Sequence, residues 1–164
     1  MGRDREQFAQ LVRQHQGAVY AMVLGMVKHR EDAADVVQEA ILRAYSRWGS
    51  LRDADKFRPW LLSIAHHAAI DHLRASRRAL ALDEAAHLPA PEPSLDLAAR
   101  LSVREAVARL KLPYRTVIHL FYYEDCSVRE IARITGASPM AVKQQLSRGR
   151  KLLAQMLKRE EFAR

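Results

Sequence analysis

The chain has 164 residues, 49% hydrophobic and 28% charged, which leaves room for one domain or two small ones and excludes a disordered composition. Its single cysteine, Cys126, excludes an internal disulfide and a multi-cysteine zinc site, and no stretch approaches the roughly 20 apolar residues of a membrane span. The net charge of +8 is uneven: residues 1–78 hold 13 basic and 9 acidic side chains, residues 79–97 hold 4 acidic and no basic ones, and residues 98–164 hold 14 basic and 6 acidic ones. Two basic blocks separated by an acidic segment suit a polyanionic partner.

Helix-forming Ala, Leu, Arg, Glu and Gln dominate, so the expected fold is all-α. The first six residues lack the apolar core of a secretory signal, and a cytoplasmic location is expected. Phe8, Leu11, Val12, His15, Val19, Met22, Val23 and Met26 repeat at helical spacing. A second helix is expected to start at Asp32 as N-cap and to run to about Trp48, where Gly49-Ser50 ends it. Its apolar stripe is Ala33, Val37, Ala40, Ile41, Ala44 and Trp48. Its polar face holds Asp32, Asp35, Glu39, Arg43 and Ser46, with the apolar Leu42 among them. A leucine set in an acidic face suits a protein-binding surface, although single exposed leucines are common.

The third helix begins near Phe57-Arg58-Pro59, with proline suited to the first turn, and continues to about Arg78. Leu61, Ile64, Ala65, Ala68 and Ala69 make its core stripe. Trp60, Ser63, His67, Arg74 and Arg78 share another face with Asp71, and Arg77 adds a further cation. An aromatic beside cations is what a strand of unpaired bases needs for stacking and charge. Trp60 equally suits a core anchor just after the proline, and the arginines suit a solvated helix end. His66, His67 and His72 lack an i,i+4 pair or a carboxylate at metal spacing, so no metal and no cofactor are expected.

Residues 79–97 have the character of a linker: Pro89, Pro91 and Pro93 fall at every second position, and Asp83, Glu84, Glu92 and Asp96 make the segment acidic. Helical pattern resumes with Leu97 to Leu110, breaks at Leu112-Pro113 and returns from Arg115 to Tyr123. The run from Ser127 to Lys151 then has the marks of a helix-turn-helix. Ser127 and Glu130 form a capping box, Ala132 is small where two helices would cross, and Gly136 suits a left-handed turn. Ser138 caps the second helix, with Pro139 in its first turn and Val142, Leu146, Leu153 and Met156 as its buried stripe. The opposite face presents Lys143, Gln144, Ser147, Arg148, Arg150 and Lys151. From Ile131 to Arg159 there are seven basic residues and no acidic one. Such a helix suits a major groove edged by phosphates, with Gln144 able to read a base edge.

Three stretches, Glu31 to Tyr45, Phe57 to Arg74 and the helix-turn-helix, together resemble the small two-domain extracytoplasmic-function sigma factors of bacterial RNA polymerase. Leu112-Pro113, Arg115 and Phe121-Tyr122-Tyr123 look like the start of that family's second domain, and the resemblance runs over about residues 5 to 160. It implies sigma domain two at 1–78, a linker at 79–97 and sigma domain four at 98–164. It implies that Asp35, Gln38, Glu39, Leu42 and Arg43 bind core polymerase. It assigns capture of the opened −10 promoter element to Trp60, Ser63, His67, Arg74, Arg77 and Arg78. Reading of the −35 element falls to Pro139, Met140, Lys143, Gln144, Ser147, Arg148, Arg150 and Lys151. An anti-sigma factor is the expected regulator, and no membrane insertion and no enzymatic activity are expected. His67 stands where the family often has Asn; it too can donate to a base. The alternative reading is a helix-turn-helix regulator that binds duplex DNA without recruiting polymerase.

Overall fold

The computed structural model describes residues 2–82 and 102–162, and among them every regular element is helical. The first half is α1 (Gly2–Val27), α2 (Arg30–Ser46) and α3 (Phe57–Leu82), with short 3-10 turns at Trp48–Ser50 and Ala54–Lys56. The second half is α4 (Val103–Arg109), α5 (Tyr114–Tyr122), α6 (Val128–Thr135) and α7 (Pro139–Phe162). The acidic proline-spaced segment, 83–97 in particular, lies outside the described residues. So does the expected helical start at Leu97.

In the first half α1, α2 and α3 pack mutually. Phe57 is fully buried at the centre of an aromatic knot: Phe8, Trp48 and Trp60 set their rings 5.8, 5.7 and 5.8 Å from it. Phe8 and Trp48 meet Phe57 edge to face, a geometry that adds to the area the rings bury, while Trp60 lies tilted against it. Trp48 Nε1 also donates to Asp4 Oδ1 at 2.7 Å, which ties the 3-10 turn after α2 to the start of α1. The core stripe of α3 is as its spacing implies: Leu61, Ile64, Ala65, Ala68 and Ala69 are buried. Alanines on that stripe let the helices approach closely.

Three boundaries differ from the sequence expectation. Helix α2 starts at Arg30, with His29 as an N-cap that makes no side-chain bond, so Asp32 is not the cap. Lys28 takes a left-handed φ of 62°, which ends α1 and redirects the chain before Asp32 is reached. Glu31 and Asp32 instead lie in the first turn, where their charge complements the helix dipole. Helix α2 stops at Ser46, leaving Trp48 in the 3-10 turn, and Val36 joins the buried stripe while Ile41 is only half-buried. At the other end, α3 continues through Ala79, Leu80, Ala81 and Leu82, all good helix formers with no proline to stop them.

In the second half the local signals and the elements coincide closely. Ser102 with Glu105, and Ser127 with Glu130, each form a complete capping box. Gly136 ends α6 at φ 76°, a conformation that costs an L side chain about 1–2 kcal/mol. Ser138 Oγ accepts from Ala141 N at 3.1 Å at the start of α7. Ile131, Ala132, Ile134, Val142 and Leu146 are buried between the two helices and α5. Gly149 lets α7 lie against α5: a Cβ there would stand 3.0 Å from Ile118 Cγ1.

The halves are packed together. Helix α6 lies on α3, and α5 lies against α1. Arg115, 8% exposed, reaches across the junction: its guanidinium donates to the Gly25 carbonyl, to the Met26 carbonyl at 3.0 Å and to Leu110 O of its own half at 2.7 Å. Gly25 and Met26 belong to the last turn of α1, whose carbonyls have no intrahelical donor. Arg58 crosses in the other direction, bonding the Glu124 carbonyl and carboxylate, the latter at 3.1 Å. Burial of Arg115 lowers its pKa, and the α1 carbonyl dipoles offset that cost.

Candidate nucleic-acid interface

Helix α7 carries the strongest cationic surface. Its buried side is set by Val142, Leu146 and Gly149, so the opposite side turns outward. Pro139, Met140, Lys143, Gln144, Ser147, Arg148, Arg150 and Lys151 are all exposed. Met140 is 67% exposed at the first turn, beside Lys143 and Gln144, a position from which an apolar side chain can meet a thymine methyl. The sequence groups Arg150 with the others, but its Nε donates to Tyr122 Oη at 2.6 Å. Its guanidinium also lies 5.5 and 5.6 Å from the Phe121 and Tyr122 ring centres. Arg150 is thus drawn toward α5, at the border of the outward face. Nothing in helical spacing announces that pairing, because Tyr122 is 28 positions away.

The α3 face is less uniform than its spacing suggests. Arg74, Arg77 and Arg78 are exposed on the distal half of the helix. Trp60 is half-buried, one side of its indole packed on Phe57, so it is partly the core anchor and partly a surface aromatic. Ser63 is half-buried at the junction and its Oγ donates to the Arg133 carbonyl of α6 at 3.4 Å. His67 is exposed, and its Nδ1 sits 2.6 Å from the Ser63 carbonyl. A carbonyl only accepts, so Nδ1 carries the proton and Nε2 of the neutral ring is an acceptor. The expected donation from His67 to a base therefore requires the protonated ring. Helix α6 covers one edge of this face while leaving the arginines free of it.

On α2, Asp35, Gln38, Glu39 and Leu42 are exposed, and Leu42 is 66% so. Tyr45, 49% exposed, continues the apolar stripe one turn on. Arg43 is held between Glu39 at 2.9 Å and Asp71 at 3.1 Å, and these hydrogen bonds raise its pKa. It spans α2 and α3 and so fixes one edge of the α2 surface relative to the α3 face.

Cys126 is buried, 3.8 Å from Arg58, and burial pushes its thiol pKa up against the opposing pull of that guanidinium. The nearby acids Glu130 and Glu124 also raise it, but less than burial does. No cluster of three or more His, Cys, Asp or Glu residues that could hold a metal occurs among the described residues.

The sequence matches two family models, sigma-70 region 2 over residues 11–79 and sigma-70 region 4 over residues 100–153. It is 31% identical over 149 residues to the RNA polymerase sigma factor SigV of Bacillus subtilis, covering 91% of this chain and 90% of that protein. It is 29% identical to the extracytoplasmic-function sigma factor SigW of the same organism, covering 94% and 91%. Among solved structures, CnrH in complex with the cytosolic domain of CnrY superposes with a TM-score of 0.65 at 27% identity, covering 92% of this chain and 87% of that one. The sigma factor RpoE of Bartonella quintana, solved with the anti-sigma factor NepR, shares the fold with a TM-score of 0.76 at 24% identity, covering 92% and 96%. Two region matches in order, joined to near full-length similarity with SigV, place this chain in the extracytoplasmic-function group of the sigma-70 family of RNA polymerase sigma factors.

Proposed function

We propose that the chain binds core RNA polymerase through α2, directs it to promoters through α3 and α7, and does no chemistry of its own. Residues 1–78 act as sigma domain two, 79–97 as the connecting segment and 98–164 as sigma domain four. Asp35, Gln38, Glu39, Leu42 and Arg43 form the polymerase contact. Trp60, Ser63, His67, Arg74, Arg77 and Arg78 take the −10 element, and the outward face of α7 takes the −35 element. The observation that carries this reading is Leu42: a large apolar side chain, 66% exposed, among acidic neighbours on a helix separate from the cationic α7 face. A duplex-binding regulator has no use for that surface. RpoE was solved with an anti-sigma factor, and by analogy an anti-sigma factor holds this chain inactive in the cytoplasm. Among the described residues no helix is long and apolar enough to cross a membrane.

The test is the double substitution Asp35→Arg with Leu42→Arg. Core binding by native gel shift is lost, while salt-dependent duplex binding by the second half persists. Undiminished core binding by the double variant refutes the assignment of α2.

A further inference from the structure

Between the two halves lies a cavity of about 170 Å³. Met26, His66 and Ile70 wall it from the first half; Leu112, Thr116 and Gln145 wall it from the second. His66 Nδ1, Thr116 Oγ1 and Gln145 Oε1 are buried there without a hydrogen-bond partner. His66 is half-buried and faces residues of the other half across this cavity, so parting the halves exposes its Nδ1 to water.

We propose that this junction is a proton-sensitive latch: the closed arrangement of the two halves requires a neutral His66, and protonation of that ring parts them. The surroundings favour the neutral ring. Burial, then the charge of His67, lowers the His66 pKa from 6.5 to about 4. The packed elements bring other basic groups to the junction: Lys28 after α1, which feels Arg115, and Arg115 itself on α5. Helix α6 contributes the Arg133 backbone, and α7 contributes uncharged Gln145. Glu124, a carboxylate at the junction, is engaged by Arg58 at 3.1 Å and lies 3.3 Å from His119, and among the described residues no ion pair to His66 is formed.

The sign follows from linkage. A base whose pKa is lowered in the closed form stabilises that form fully above pH 6.5, and the contribution is lost as pH falls from 6.5 toward 4. Between pH 7.5 and 5.5 one such group raises the open-to-closed ratio about tenfold. Opening uncovers Ser63 and the adjoining edge of α3. Only the consequence for promoter capture rests on the proposed function; the opening itself does not.

The experiment is fluorescence energy transfer in the full chain, labelled at Gln10→Cys and Gln155→Cys in a Cys126→Ala background. The expected result is a tenfold rise in the open-to-closed ratio between pH 7.5 and 5.5, kept in His67→Gln and His119→Gln and absent in His66→Gln. A flat profile in the unsubstituted latch, or a slope that survives His66→Gln, overturns the proposal. Should His66→Gln fail to fold by circular dichroism, the His66 imidazole proton resonance in the wild-type ring decides. Its titration must share a midpoint with opening, and separate midpoints overturn the latch.

Discussion

Replacing Arg115 with Met should open the two halves. The substitution keeps an apolar stem of similar length and removes the guanidinium. Three carbonyls lose a donor, those of Gly25, Met26 and Leu110, and the first two lie across the junction. A hydrogen bond from a charged donor contributes about 1.5–3 kcal/mol, so the two crossing bonds represent about 3–6 kcal/mol of gross stabilisation. Opening lets water satisfy the α1 carbonyls, and the wild-type closed form carries the desolvation cost of a buried cation. The net loss to the closed form is then about 2–3 kcal/mol, a shift of roughly 30- to 150-fold toward open molecules. Small-angle scattering should record a larger radius of gyration. Hydrogen exchange should quicken in the last turn of α1 and in α5, but not at the α2–α3 contact. Unchanged scattering together with unchanged protection at the α1 end would refute the assignment of Arg115 as the main tie between the halves.

Other outcomes are as specific. Lys143→Ala should lower duplex affinity uniformly across sequences and reduce the slope of log K against log salt by about 0.9, as measured by fluorescence anisotropy. Gln144→Ala should instead relax preference at one base pair by about 1–3 kcal/mol with the salt slope unchanged. Ser127→Ala removes the acceptor for Glu130 N at 3.1 Å and should destabilise the second half by about 1 kcal/mol in urea unfolding. Cys126, 3% exposed and with its thiol pKa raised by burial, should react with a thiol reagent at neutral pH only as the chain opens, and rapidly in denaturant.

Much of the second half is legible in the sequence because its signals are local. Ser127 with Glu130, Gly136 and Ser138 each act within four residues, and each does in the structure what its residue type allows. The start of α2 shows the limit of that logic. Asp32 is a good capping residue, but the left-handed turn at Lys28 sets the helix start first, and no side-chain pattern marks that turn. The candidate DNA face of α3 is legible as a set of residues but not as an accessible surface, because α6 covers its Ser63 edge. The contacts that join the halves are the least legible. Arg58 meets Glu124 at a separation of 66 residues, and Arg115 meets Gly25 at a separation of 90. An arginine bound for helix-end carbonyls has the same local sequence context as one bound for solvent.

The central claim, that this chain confers promoter recognition on core polymerase, is tested most directly by run-off transcription. Core enzyme, the purified chain and a library of genomic promoter fragments are sufficient. The account predicts transcripts from a discrete subset of fragments, lost with the Asp35→Arg, Leu42→Arg double variant and with Lys143→Ala, Arg148→Ala. Absence of transcripts from every fragment, with no binding of the chain to core polymerase, would contradict it.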